Sequence, residues 1–176
     1  LVQADVQKEG CFAITLLGGT EDLSAGQAID RIALMLGLPF PGGAALEALA
    51  LDAGKPISAV RGLKVSVNGI SCHFSGLENL AKKQLESGAP PKDIALYTFA
   101  FVQKTLLRLI ANACALHGEK PVLFAGGVMS SVIMRQALGA AFDAYFSDGM
   151  YASDNAAGIA LLTKRRCDAM RKKEIQ

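Results

Sequence analysis

The segment Val122–Asn155, VLFAGGVMSSVIMRQALGAAFDAYFSDGMYASDN, constrains the fold more than any other stretch, because it holds two loop-to-helix junctions. An apolar run, Leu123-Phe124-Ala125, ends in Gly126-Gly127 and leads into a periodic segment from Val128 to Ile133. Paired glycines between a strand and a helix let backbone N–H groups approach a phosphate, but many such turns use glycine for backbone geometry alone. The second junction, Ser153-Asp154-Asn155, opens the apolar run Ala156–Leu162. An aspartate there can cap the helix or bind a metal, and the local pattern favours the cap.

Around this segment the chain reads as strands, then helices, then strand–helix–strand–helix. Leu1–Val6 alternates apolar and polar residues and Cys11–Leu17 is a second strand, so the opening is read as a hairpin with one buried face. A first helix is expected over Asp22–Leu36, with Asp22, Gly26 and Asp30 four apart on one face. Leu38–Gly43 (LPFPGG) is a rigid turn before a short helix, Ala44–Leu51. Asn68-Gly69 marks a second hairpin between Lys64–Val67 and Ile70–Phe74. Further helices are expected over Gly76–Ser87, with Ser75 as cap, and over Asp93–His117, ended by Gly118. Pro121–Ala125 is wholly apolar, as a strand covered on both faces would be. Helix Val128–Leu138, strand Asp143–Phe146 and helix Ser153–Met170 complete a mixed sheet packed with helices, an α/β fold.

Bulk composition narrows the function. Half of the 176 residues are hydrophobic and 19% are charged, which excludes a disordered chain and suits a single buried core. Thr163–Gln176 carries six of the basic residues and two acids, leaving a mildly acidic body and a basic helix end or tail. Such a tail complements a helix macrodipole or touches nucleic acid. Cys11, Cys72, Cys114 and Cys167 fit no CxxC spacing and read as reduced thiols of a cytoplasmic protein. No apolar run is expected to reach the roughly 20 residues of a membrane span. The chain begins at Leu1 inside a strand-like run, which reads as a piece of a longer protein.

No nucleophile set is legible: there is no GxSxG, and His73 and His117 share no HxxxH or HExxH spacing. Asp30 and Glu47 are carboxylates of the kind that accept from ribose hydroxyls, or else exposed helix acids.

Four motifs in order carry a resemblance: DLSAGQAIDRIALMLGLPFPGGAALEALA, HFSGLENLA, LFAGGVMSS and YASDNAAGIALL, spread over residues 22 to 162. Together they resemble the threonylcarbamoyladenosine tRNA-modification transferases, once called glycoproteases or O-sialoglycoprotein endopeptidases. The resemblance implies one lobe, the C-terminal half, of the two-lobed fold shared by actin-like ATPases and sugar kinases (a ribonuclease H-like lobe), with residues 1–176 as that single lobe. It implies that Asp30, Gly43 and Glu47 contact an adenine nucleotide, that Gly126 and Gly127 line its phosphates and adenine, and that Ser131 stands where the family has an adenine-side Asn. It implies that Asp154 is the aspartate ligand of an iron or zinc ion whose two histidines lie on another lobe. The implied chemistry is metal-assisted transfer of a threonylcarbamoyl group from its adenylate to an adenosine of tRNA, with other proteins of the pathway as partners and no membrane. The chain departs from the family at Gln27 (Glu in the family), Leu23 (Asp) and Glu78 (Lys), the pattern of a divergent paralogue. A non-catalytic nucleotide-binding or scaffold paralogue is therefore the alternative, and peptidase chemistry finds no residues to carry it.

Overall fold

The computed structural model describes residues 1–7, 12–151 and 156–174. Among these residues, seven strands and six α-helices follow in the order β1 (Val2–Val6), β2 (Phe12–Leu16), β3 (Gly19–Thr20), α1 (Ala25–Met35), α2 (Gly43–Leu51), β4 (Ser66–Asn68), β5 (Ser71–His73), α3 (Ser75–Glu86), α4 (Pro91–His117), β6 (Val122–Phe124), α5 (Val132–Ala141), β7 (Ala144–Phe146) and α6 (Ala156–Glu174). The strands make three small sheets: antiparallel β1–β2, mixed β3–β5–β4 and parallel β6–β7. This is the mixed α/β architecture that the alternation of elements implies.

α4 is the centre of the core. From Ile94 to Val102 nearly every side chain is buried, so the helix is apolar all round and other elements pack on several sides of it. Thr98 and Thr105 are also fully buried there; their hydroxyls donate to the carbonyls of Ile94 and Phe101, each at 2.8 Å, so neither hydroxyl is left unsatisfied. By length and composition α4 passes as a membrane span, contrary to the expectation that no segment would. Its apolar surface is taken up by the core instead, against Leu46 and Ala50 of α2, Leu77 and Ala81 of α3, and Met134 and Leu138 of α5.

Most elements differ from the sequence expectation by a few residues at their ends, and three of these differences have a legible cause or bear on the site. α1 starts at Ala25, not Asp22, because Ser24 and Gln27 close a capping box: Ser24 Oγ accepts from the Gln27 amide at 3.2 Å, and Gln27 Oε1 accepts from the Ser24 amide at 3.0 Å. The side-chain amide of Gln27 thus does the capping work that a glutamate would do at the same place. The segment after Gly126-Gly127 is not one helix; a 3-10 turn over Gly127–Ser130 comes first, and α5 begins only after Ser131 caps it. α3 includes Ser75 rather than being capped by it.

Asp22, freed from α1, supplies the cap that α3 lacks. Its carboxylate accepts from the amides of Phe74 at 2.8 Å and Ser75 at 2.9 Å, across 52 and 53 residues of sequence. Partial burial opposes ionisation of Asp22, but hydrogen bonds from the Ser75 hydroxyl and the amides of Phe74, Ser75 and Leu23 outweigh it and hold the carboxyl well below the usual carboxylate range. A carboxyl more acidic in the folded than in the unfolded chain stabilises the fold above the unfolded pKa, and loses that contribution as pH falls. Asp22→Ala is therefore expected to cost about 1 kcal/mol at neutral pH, a size held down by solvent screening. The gap between wild type and variant in urea unfolding should narrow steadily below about pH 4. A gap independent of pH would show that the charge of Asp22 is not what matters.

Two expectations of burial are overturned. The β1–β2 alternation is present, but the face carrying Val2, Val6, Phe12, Ile14 and Leu16 is exposed. In β6 only Phe124 is buried, and Leu123 is 72% exposed. The run is apolar on both faces, yet only one of them is covered. The basic segment from Lys164 to Glu174 continues α6 as helix.

Candidate functional site

Four segments far apart in sequence converge on one cavity of about 290 Å³. α1 contributes Gly26, Ile29 and Asp30; α2 contributes Gly43, Ala44 and Glu47. Phe99 of α4 forms the floor, and Gly127, Val128, Ser130 and Ser131 close the fourth side. The walls are largely apolar, with two carboxylates and exposed backbone at Gly43 and Gly127. Such a site suits a ligand with a flat apolar part and a few hydroxyls.

Five of the residues singled out in the sequence, Asp30, Gly43, Glu47, Gly127 and Ser131, line this cavity together. Gly126 does not line it. Its backbone has φ 101°, a left-handed conformation that glycine adopts without strain, and it turns the chain from β6 into the 3-10 turn. Asp154 lies outside the described residues. Ile29, Phe99 and Val128 were not foreseen as site residues; each reads in sequence as an ordinary core position.

Asp30 sits where it does because α1 and the turn into α2 are tied together. Its Oδ1 accepts from the Gly42 amide at 2.8 Å. Gly42 is buried against α1: a Cβ on it would collide with the Cβ of Ala33. Gly43, the next residue, faces open space, and a Cβ there would meet nothing within 4 Å. One glycine of the pair serves packing and the other leaves backbone accessible.

Glu47 bridges α2 to α5. Its Oε1 accepts from the Ser131 hydroxyl at 2.6 Å and from the Ile133 amide at 3.0 Å. Ser131 Oγ in turn accepts from the Met134 amide at 3.2 Å. Glu47 and Ser131 thus satisfy the first amides of α5 jointly, and the carboxylate suits the positive end of that helix. Among the described residues, Asp30 Oδ2 and Glu47 Oε2 have no hydrogen-bond partner. Each carboxylate therefore has one oxygen committed to the protein and one available to a ligand hydroxyl.

Arg135 fixes the loop that closes the cavity. Its Nε donates to the Met129 carbonyl at 2.8 Å, and its Nη2 donates to the Ser147 carbonyl at 2.7 Å. The guanidinium lies 5.2 Å from the centroid of the Phe146 ring, which stacks on Phe124.

The histidines lie elsewhere. His73 is in β5, 3.2 Å from the Glu21 carboxylate. Among the described residues no three His, Cys, Asp or Glu side chains gather as a metal set. The oxygens of Asp30 and Glu47 not bonded within the protein are acceptors that suit hydroxyl groups of a ligand. Burial, with the nearby Asp22 and Glu21 carboxylates adding to it, pushes the Cys72 thiol up, so it stays protonated and packs as a small apolar group. Glu78 pairs with Arg31 at 3.0 Å on the surface, an interaction worth about 0–1 kcal/mol.

The chain is similar in sequence to known proteins over most of its length. A sequence model of tRNA N6-adenosine threonylcarbamoyltransferase, TsaD, matches residues 7–161. A probable bifunctional tRNA threonylcarbamoyladenosine biosynthesis protein of Thermoplasma volcanium is 35% identical over 82% of the chain, which corresponds to 28% of that protein. The tRNA N6-adenosine threonylcarbamoyltransferases of Thermus thermophilus and Trichormus variabilis are 34% and 35% identical over 86% and 85% of the chain, which correspond to 47% and 48% of those proteins. The chain thus spans about half or less of the length of the relatives it matches. It belongs to the tRNA N6-adenosine threonylcarbamoyltransferase family, whose fold is that of the actin-like ATPases.

Proposed function

We propose that this chain is the C-terminal, nucleotide-holding lobe of a protein that transfers a threonylcarbamoyl group from its adenylate to an adenosine of tRNA, in the cytoplasm and alongside other proteins of that pathway. The observation that carries this reading is the convergence of Asp30, Gly43, Glu47, Gly127 and Ser131 on one cavity. The free oxygens of Asp30 and Glu47 accept from the ribose hydroxyls. Ile29, Phe99 and Val128 form an apolar wall for the adenine, and the accessible backbone at Gly43 and Gly127 allows close approach. Holding the adenylate rigid while the exocyclic amine of adenosine attacks the carbamoyl carbon, with AMP leaving, needs orientation but no protein nucleophile. An iron or zinc ion, which the resemblance assigns to Asp154 with histidines of another lobe, supplies polarisation of that carbonyl when bound.

The test is calorimetric titration of the full-length protein with AMP or ATP. Binding is expected, and Asp30→Ala should weaken it about 10- to 100-fold, the range for losing a hydrogen bond to a charged group. Absence of binding by the intact protein would overturn the reading. One observation favours a second reading, a non-catalytic nucleotide-binding or scaffold paralogue. The hydroxyl of Ser131, where the family has Asn, is spent on Glu47. Nucleotide binding without transfer to tRNA would select that alternative.

A further inference from the structure

The chain contains no Asp or Glu between Asp52 and Glu78, and none between Asp93 and Glu119. These two acid-free segments pack side by side. Lys104 Nζ of α4 donates to the Leu63 carbonyl at 2.7 Å, and Asn112 Nδ2 donates to the Gly69 carbonyl at 2.7 Å. Between them lies a second cleft of about 330 Å³, whose polar lining comes from Ser58, Arg61, Gln103 and Lys104 and whose apolar base includes Leu63 and Leu107. No carboxylate lines it. Lys64 follows Leu63 directly and Arg108 stands one helical turn beyond Lys104; neither lines the cleft, but both are exposed cations next to residues that do.

Arg61, Lys64 and Arg108 are exposed and make no ion pair or hydrogen bond among the described residues. Two other surface cations are neutralised by carboxylates: Arg31 pairs with Glu78, and Lys55 pairs with Asp93 at 3.0 Å. Four cations drawn from two segments without acids, in a chain whose formal net charge is only +2, concentrate positive charge around this cleft.

We propose that this cleft, between the loop preceding β4 and the middle of α4, seats the sugar-phosphate backbone of an RNA. The side chains at its mouth are donors, which suits phosphate oxygens. No aromatic ring lines it, so it holds backbone without stacking bases, and its contacts are indifferent to sequence. A cleft lined by donors and a few aliphatic side chains, with no aromatic ring to insert between lipids, suits a ribose-phosphate strand better than a flat lipid surface. The assignment does not depend on the nucleotide cavity, which is lined by other residues of α4.

The test uses the full-length protein and a fluorescein-labelled RNA stem-loop, with binding followed by anisotropy over a series of salt concentrations. The variant is Arg61→Gln, Lys64→Gln, Arg108→Gln; Lys104 is left alone because it braces Leu63. Each phosphate contact contributes about 0.7–0.9 to the slope of log affinity against log salt, so the triple variant should bind at least tenfold more weakly at low salt with a slope reduced by about 2–3. Its melting temperature and its calorimetric titration with AMP should match wild type, because none of the three side chains is buried or lines the nucleotide cavity. Lys55→Gln, whose charge is already paired, should leave the slope unchanged. An unaltered slope in the triple variant would overturn the proposal. So would binding to phosphatidylserine vesicles but not to RNA, or no RNA binding at all. Loss of AMP binding with the RNA result intact would count against the nucleotide reading alone.

Discussion

Replacing Phe99 with alanine is expected to lower the free energy of unfolding by about 3–5 kcal/mol. Phe99 is 1% exposed, lies at the middle of the helix around which the core is built, and also floors the candidate nucleotide cavity. Removing the ring takes away its transfer free energy and opens a void that the rigid surround of α4 fills only in part. The void merges with the existing cavity, so water enters where the adenine is expected to lie. Urea unfolding should show a lower midpoint at unchanged slope, the signature of lost stability without a change in compactness. A loss below about 1 kcal/mol would show that the neighbouring helices collapse onto the site, and that the cavity has no fixed floor.

The second large effect separates two adjacent glycines. Gly42→Ala forces a methyl group into Ala33 of α1 and strains the amide that Asp30 holds. Overpacking costs about 1–3 kcal/mol, and loss of a hydrogen bond to a charged group adds about 1.5–3 kcal/mol if the seam opens. Gly43→Ala meets open space at the start of α2, so stability should be unchanged or raised by up to about 1 kcal/mol. Its methyl group, however, projects into the cavity and should weaken nucleotide binding. Thermal unfolding and calorimetry on the two variants give opposite expectations. Gly42→Ala is unstable, whereas Gly43→Ala is stable and binds poorly. If both variants melted like wild type, the close approach of α1 and the turn before α2 would be wrong.

The sequence made some of these features legible and concealed others. Periodicity placed all six helices and the hairpin at Asn68-Gly69, because those signals are local. The start of α1 was also written locally, as Ser24 and Gln27 three residues apart, but the four-residue spacing of Asp22, Gly26 and Asp30 drew the helix too far back. Asp22 caps a different helix, and no local pattern records a cap donated from some fifty residues away. The bond between Glu47 and Ser131 spans 84 residues, and local pattern could not predict it. Motif order brought the two residues to one site, whereas their contact follows only from the packing of α2 against α5. Exposure failed for a related reason. Leu123 is apolar and sits in a strand, yet burial depends on what lies across from it, and pattern within the strand carries no information about that.

The clasp made by Arg135 bears on how a ligand would bind. With Met129, Ser147 and Phe146 all held by one guanidinium, the loop from Gly126 to Ser131 gives up its conformational freedom when the protein folds. Ordering a rotamer-rich side chain on binding costs about 0.5–1.5 kcal/mol, and a loop already ordered spares a ligand that entropy. A ligand entering here meets a wall that is already in shape, so its recognition approaches lock and key, and differences in affinity among related ligands should be expressed mainly in how fast they leave.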